Sequence, residues 1–347
     1  MSKAHILAHA HTLEKMANLD VRNEVFQGDA LTGMVFDQVD FSGTRFLNCI
    51  MHECVFIDCL FSGTLFHGSD LAHSLFSSCT MKSSMFDGCN LSETQFDDCG
   101  LQNATVRHCE LEKVAFSHCD ATQAVLRDLI LRDADVLDSC LTETDFTGTD
   151  LSKCLFHELD LRSTVFTRAV MKDMGMSGCN LAGQNLSGQD LSGTQLNEAI
   201  LTNVNLADCR LVMCNFSDAE ITDASFAQAD LRNSLFINAT MENVVFIGAT
   251  MNQSIWNGAL VQRADFDGAD LGMSVFNRTS FEHCQFRDSD MQYADFSYSG
   301  LKSCGFDGVL MNNTRFHRAL VDSDDIKRRL GAVERDDELF EAELWSA

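Results

Sequence analysis

The sequence predicts an all-β solenoid, a four-sided β-helix of about 15 coils with a short helical cap at each terminus. Three observations predict it. Every fifth residue from Phe26 to Val321 is apolar, and the residue two places before each of these positions is usually small. No insertion interrupts this five-residue spacing between Phe26 and Val321, so we expect no large loop to project from the solenoid.

The period of five is the strongest of these signals. It begins with Phe26, Leu31 and Phe36, ends with Phe316 and Val321, and has its weakest member at Ala121. An amphipathic helix would recur at three and four, and a half-buried strand at two. One large and one small inward residue in five fit a short strand followed by a tight turn. Four such units close a square coil of about 20 residues, and coils stack about 4.8 Å apart.

The faces of the predicted coil differ in their core residues. Positions ending in 6 are mostly Phe and those ending in 1 are mostly Leu or Met, so we expect like residues to stack above like. The small inward position is mostly Cys, Ser, Thr or Ala. Five residues there are too large or too polar and predict locally altered packing: Leu129, Leu159, Met174, Gln184 and Gln189.

Runs such as Asp265-Phe266-Asp267-Gly268-Ala269-Asp270-Leu271 carry the A(D/N)LXX pattern. In this pattern the chain resembles the bacterial pentapeptide-repeat family over about residues 24–323. The resemblance implies a right-handed quadrilateral β-helix. It implies little about function, because the family is functionally diverse.

Open ends of a β-helix expose unpaired strand groups and need caps. We assign residues 1–23 to an N-terminal helical cap, with apolar Ile6, Leu7, Leu13 and Met16, and residues 24–323 to the β-helix. Residues 324–347 form a C-terminal helical, acidic tail, whose helix start is indicated by the acidic residues at 322–325.

The formal charge of −26 disfavours direct binding to nucleic acid or to an anionic membrane, because both are polyanions. There is no apolar run long enough for a membrane-spanning helix and no apolar segment typical of a secretory signal. The sequence therefore predicts a bacterial cytoplasmic protein, with secretion without a signal peptide as the alternative.

The 15 cysteines do not predict a metal site. All but Cys140 fall on the small inward position, where stacked parallel thiols do not converge on one ion. We interpret them as small hydrophobic residues. No phosphate-binding loop or nucleophile elbow is present, so the sequence predicts no catalytic residue, no cofactor, no metal and no enzymatic activity.

Two sets of residues are candidates for binding a protein partner. The first is the apolar part of the acidic tail: Leu339, Phe340, Leu344 and Trp345. The second, the acidic ladder, occupies one outward slot on one face: Asp70, Glu110, Asp150, Asp190, Asp230, Asp270 and Asp290. The tail either docks in a partner's groove as an amphipathic helix or folds back to cap the open coil.

These features favour a rigid protein–protein interaction scaffold or adaptor. A short helix running into repeats that include NLSGQDLSG is similar to pentapeptide proteins encoded with bacterial type VI secretion systems, which implies an accessory role and a secretion component as partner. The acidic ladder motivates an alternative, since some family members mimic DNA and bind gyrase or topoisomerase IV. A secreted effector that binds a target-cell protein is a third interpretation. Outward apolar residues such as Ile130 and Leu310 also permit a homodimer.

Overall fold

A computed structural model describes residues 2–10, 14–322 and 326–346. They form two compact units, Met1–Gly175 and Met176–Ala347. Each unit is a parallel β-solenoid, and together the units contain about 16 turns. The predicted β-helix, with one short helix near each terminus, is therefore confirmed.

The first unit begins with helix α1, Ser2–His9. Its strands are β1 Met16–Ala17, β2 Val25–Gln27, β3 Val35–Asp37, β4 Arg45–Leu47, β5 Val55–Ile57, β6 Leu65–His67, β7 Leu75–Ser77, β8 Met85–Asp87, β9 Gln95–Asp97, β10 Thr105–Arg107, β11 Ala115–Ser117, β12 Val125–Leu126, β13 Asp135–Leu137 and β14 Leu155–His157. Odd-numbered strands from β1 to β13, followed by β14, make one sheet, and even-numbered strands from β2 to β12 make a second.

The second unit contains the remaining strands. They are β15 Glu220–Thr222, β16 Thr240–Glu242, β17 Leu260–Gln262, β18 Ser280–Glu282, β19 Gly300–Lys302, β20 Thr314–Arg315, β21 Leu320–Val321 and β22 Ala332–Val333, and helix α2 spans Asp337–Ser346. Strands β15 to β19 and β21 form one sheet, and β20 pairs with β22.

Strand partners lie 20 residues apart, as Val35 and Val55 do in the first unit, except in the last pair, where Thr314 lies opposite Ala332 at an offset of 18. The remaining sides of each coil are held by single parallel bridges with the offset of 20, such as Asp40 with Leu60. One coil therefore consists of four five-residue sides, as the period predicted.

The large inward side chains fill the axis of each unit. All of them are buried except Val106, Phe116, Phe306, Met311 and Val321, which are half-buried. Rings stack on rings of the same face at centroid distances of 4.6–5.1 Å along the column Phe36, Phe56, Phe76, Phe96 and Phe116. The predicted stacking of like on like is thus confirmed for this column.

The small inward residues satisfy the backbone of the preceding coil. Thr64 Oγ1 donates to the Phe41 carbonyl at 2.8 Å, and the same carbonyl accepts the N–H of Thr44 within its own turn at 2.9 Å. Between Phe41 and Thr44 the turn places Gly43 at φ +69°, a conformation that favours glycine. A small hydroxyl or thiol is therefore favoured at this position because it fills limited space and bonds a buried carbonyl.

Both ends of the β-helix extend further than the sequence assignment. Strand β1 lies within residues 1–23 and pairs with β3, because Met16 continues the inward series backwards. Strand β22 lies within residues 324–347, and its ladder with β20 requires Gly331 at φ +89°. Leu13 and residues 323–325 lie outside the described residues. Neither α1 nor α2 has the length and hydropathy that a membrane-spanning segment needs.

Candidate interaction surfaces

The acidic ladder of the first unit contains Asp70, Glu110 and Asp150. Bridges run from Asp70 through Asn90 to Glu110, and a separate bridge joins Ile130 to Asp150. The acids therefore share one face, as predicted, but an uncharged residue lies between each pair. Glu110 is exposed, while the two aspartates are half-buried.

In the second unit the ladder contains Asp190, Asp230, Asp270 and Asp290. Bridges connect Asp190 through Arg210 to Asp230, then through Thr250 to Asp270 and directly to Asp290. All four aspartates are half-buried. Arg210 and Thr250 thus interrupt the column of aspartates.

The ladder aspartates also have a local structural role that the sequence did not reveal. In each, Oδ1 accepts the backbone N–H two residues later, which closes an Asx-type turn. The donors are Ala72 at 3.2 Å, Ser152 at 3.0 Å, Ser192 at 3.1 Å, Arg232 at 3.4 Å, Gly272 at 3.0 Å and Gln292 at 2.9 Å. One carboxylate oxygen of each ladder aspartate is therefore committed to the fold.

Arginines neutralise part of the remaining charge. The Arg232 guanidinium bonds both oxygens of Asp230 at 2.7 Å and holds the pKa of that carboxyl below its ordinary value. Partial burial raises the pKa of Asp150, but hydrogen bonds from Ser152 and Arg132 outweigh this effect and lower it overall. The ladder therefore presents less free negative charge than its sequence suggests.

The second candidate surface is α2. Asp336 caps its N-terminus, since Oδ1 accepts the N–H of Glu338 at 3.1 Å and of Leu339 at 3.2 Å. Leu339 and Phe340 are half-buried, and the Arg335 guanidinium lies 3.7 Å from the centroid of the Phe340 ring. These two of the four apolar tail residues thus face the protein.

The other two apolar residues of α2 face solvent. Leu344 is 65% exposed and Trp345 is 92% exposed. Asp337, Glu338 and Glu341 on the same helix are exposed as well. An exposed aromatic and aliphatic pair on an acidic helix is a typical anchor for a protein partner.

A polar cluster holds α2 against the last coils of the second unit. Glu343 accepts hydrogen bonds from the Tyr298 hydroxyl and from His317 Nε2, the latter at 3.3 Å, and it pairs with Arg318. The Asp336 N–H donates to His317 Nδ1 at 3.2 Å, so Nε2 carries the ring proton that Glu343 accepts. The tail therefore folds back onto the solenoid and at the same time presents Leu344 and Trp345 outward.

The cysteines lie where the sequence placed them. Cys140 is exposed, Cys109 and Cys304 are half-buried, and the other cysteines are buried; none forms a disulfide bond. Burial raises the pKa of Cys54 to about 12. Residues 2–10, 14–322 and 326–346 contain no group of three or more metal-ligating side chains arranged to hold an ion.

Sequence models of one family match nearly all of residues 30–299. A model described as a pentapeptide repeat region matches residues 30–106. A second, described as pentapeptide repeats (8 copies), matches residues 109–148, 144–183, 176–212, 214–253, 245–282 and 264–299. No curated protein has a sequence that matches this chain significantly.

Solved structures of repeat proteins resemble parts of the chain. One is trypsin-treated QnrB1, a plasmid-mediated fluoroquinolone resistance protein, with 20% identity over 52% of this chain and 90% of its own, at a TM-score of 0.31. Another is HetL, a pentapeptide repeat protein involved in heterocyst differentiation regulation in the cyanobacterium Nostoc, with 18% identity over 78% of this chain and 96% of its own, at a TM-score of 0.20. The family assignment rests on the sequence models and not on these structural alignments.

Proposed function

Because the chain belongs to the pentapeptide repeat family, we propose that it is a non-enzymatic scaffold that binds a protein partner through helix α2. The observation that supports this proposal is the two-sided geometry of α2. Glu343 holds the helix in a fixed position, while Leu344 and Trp345 remain in solvent. A preordered helix binds at a lower entropic cost than a disordered tail.

The chemistry of α2 defines the partner surface. Leu344 and Trp345 require an apolar groove, since burying a tryptophan and a leucine there removes a large apolar area from water. The exposed acids Asp337, Glu338 and Glu341 favour basic residues on the rim of that groove. The proposed partner is therefore a protein with a basic-rimmed apolar groove.

DNA mimicry is less well supported by the ladder geometry. Asp190, Asp230 and Asp270 recur at every second coil, which is a spacing of about 9.6 Å. Duplex DNA carries roughly five or six charges over that length. With Arg210 and Arg232 also beside this column, the ladder alone carries far less charge than the two strands of a duplex together. A supercoiling assay without inhibition or protection of gyrase would agree with this conclusion.

The accessory role in type VI secretion and the secreted-effector role are specific forms of the same proposal. Each names a different origin for the partner, and the residues of α2 do not distinguish them. Co-purification with secretion components would support the first, and capture only from target-cell extract would support the second.

The test compares the full chain with the double variant Leu344→Glu/Trp345→Glu in quantitative affinity capture. Both side chains are exposed, so the variant should fold normally and keep its melting temperature. The control is Met213→Glu, which alters another side chain that is 65% exposed in the second unit. We expect the α2 variant to lose a specific partner that the control retains. Equal capture by all three proteins would contradict the proposal.

A further inference from the structure

The first unit contains a surface cleft of about 610 Å³. Its two walls are residues 108–112 and 128–133, which belong to successive coils. It adjoins the ladder residue Glu110, and the sequence pattern gave no indication of a concave site on an otherwise regular face.

The cleft coincides with a break in the backbone ladder. On the coils before and after it, the N–H of Leu91 donates to the Glu110 carbonyl and that of Leu131 to the Asp150 carbonyl, both at 2.8 Å. Within the described residues, no backbone hydrogen bond joins 108–111 to 128–131. By the register of the neighbouring coils, the break leaves the N–H groups of Leu111 and Ile130 and the Cys109 carbonyl without their ladder partners.

Leu129 is the cause of this break. It occupies the small inward position, above Cys109 and below Thr149 on the same face, and it is buried. A leucine does not fit where its neighbours are Cys and Thr, so the two coils separate. The thiol of Cys109 becomes half-exposed as a result.

A second site in the same unit supports this cause. Leu159 also occupies a small inward position, and it follows Ser139 on a different face. No backbone hydrogen bond joins the described residues 138–141 to 158–160 either. Leu129 and Leu159 are thus each accompanied by an opened ladder to the preceding coil.

The walls of the cleft are rich in hydrogen-bond acceptors. Glu110 and Asp133 lie at the cleft and form no ion pair with any described residue, whereas the Arg132 guanidinium is bound to Asp150. Ile130, which is 63% exposed, adds an apolar surface beside these acids. An excess of carboxylates together with a free carbonyl suits a cation with several N–H donors.

We propose that this cleft binds an arginine side chain presented by an extended segment of a protein partner. A guanidinium offers five donors in one plane and bonds carboxylates in pairs, and its methylene stem packs on an apolar residue such as Ile130. The unpaired N–H groups of Leu111 and Ile130 bond carbonyls of the extended segment. This inference assumes a protein partner and therefore rests on the proposed function. The cleft belongs to the first unit, whereas α2 belongs to the second.

The binding test uses the full chain and a fluorescein-labelled peptide of glycines around one arginine. A matched peptide carries citrulline, which has nearly the same shape without the charge. We expect saturable binding of the arginine peptide, at least 10-fold weaker binding of the citrulline peptide, and weakening of the former by Glu110→Gln or Asp133→Asn. No saturable binding, or equal binding of the two peptides, would overturn the proposal.

The structural test replaces Leu129, the residue that opens the cleft. Leu129→Thr restores a small inward residue and should slow hydrogen exchange at the Leu111 and Ile130 amides while it reduces peptide binding at least 10-fold. Leu159→Thr is the matched control and should leave binding unchanged. Unchanged binding in Leu129→Thr with newly protected amides would refute the role of the cleft. If Leu129→Thr fails to fold, the variants Glu110→Gln and Asp133→Asn decide alone, and partner capture through α2 is measured separately.

Discussion

The core of the first unit contains a cavity that a single substitution should fill. The centre of a water molecule could occupy about 30 Å³ of this cavity. Almost all of the side chains that line it are apolar, among them Val106, Ala121 and Val136. The cavity lies where the phenylalanine columns are interrupted and where Ala121 replaces the leucine found at Leu101 and Leu141 on the same face. We predict that Ala121→Leu stabilises the protein.

The magnitude follows from the added side chain. Leucine buries three more carbons than alanine, which is worth about 2.4 kcal/mol at about 0.8 kcal/mol per carbon. Ordering the leucine costs about 0.5–1 kcal/mol of side-chain entropy. The net gain is therefore about 1.5 kcal/mol, or a rise of roughly 3–6 °C in the melting temperature of a unit of this size.

The assay is urea and thermal unfolding of the full chain, with Ala134→Leu as the control. Ala134 is also fully buried in the first unit, but it lies on the small inward position and does not line the cavity. There the same change should overpack the core and cost about 1–3 kcal/mol. A lower midpoint for Ala121→Leu, or an equal loss in both variants, would refute the reasoning.

Two further predictions concern the C-terminal coil. Gly331→Ala should destabilise the ladder between β20 and β22 and raise amide exchange there, because an added Cβ would lie 2.2 Å from the Met311 carbonyl oxygen at a φ of +89°; unchanged exchange would contradict this. The hydrogen bond from Tyr298, with those from Arg318 and His317, holds the pKa of Glu343 below its ordinary value and so stabilises docked α2 at neutral pH. This stabilisation should be lost as the pH falls from about 4.3 through the lower native pKa. Amide hydrogen exchange in α2 should report the release, and Glu343→Gln should remove that pH dependence.

The periodic positions made the fold predictable from the sequence. A five-residue unit that buries one large and one small side chain has few ways to close, and parallel stacking repeats each choice 20 residues later, as in Phe36 and Phe56. The same logic placed the cysteines and the outward face of the acidic ladder. The ends were predicted less well: Met16 falls on the inward period but lies outside residues 24–323, and Ala332 pairs with Thr314 at an offset of 18 residues that the period does not indicate.

The candidate sites were predictable only in part. The sequence identified the apolar residues of the tail but left open whether the helix docks in a partner's groove or folds back to cap the open coil. In the structure Glu343 holds the helix on the solenoid while Trp345 stays exposed, and docking to a partner stays a prediction. The turn-closing role of Asp70 and its equivalents depends on a bond to the backbone two residues later, which composition alone does not reveal.

The sequence by itself determined the architecture, the inward and outward assignment of almost every residue, and the acidic character of the surface, because these follow from a period that no insertion interrupts. Only the tertiary structure decided where the ladder opens and which way α2 points. Leu129 departs from the small-residue pattern no more than Met174 does, yet beside Leu129 the coils separate, whereas Leu155 and Gly175 remain bridged next to Met174. The physical reason is that the cost of a large inward side chain depends on the space left by the coils above and below it, and that space is a property of the packed structure.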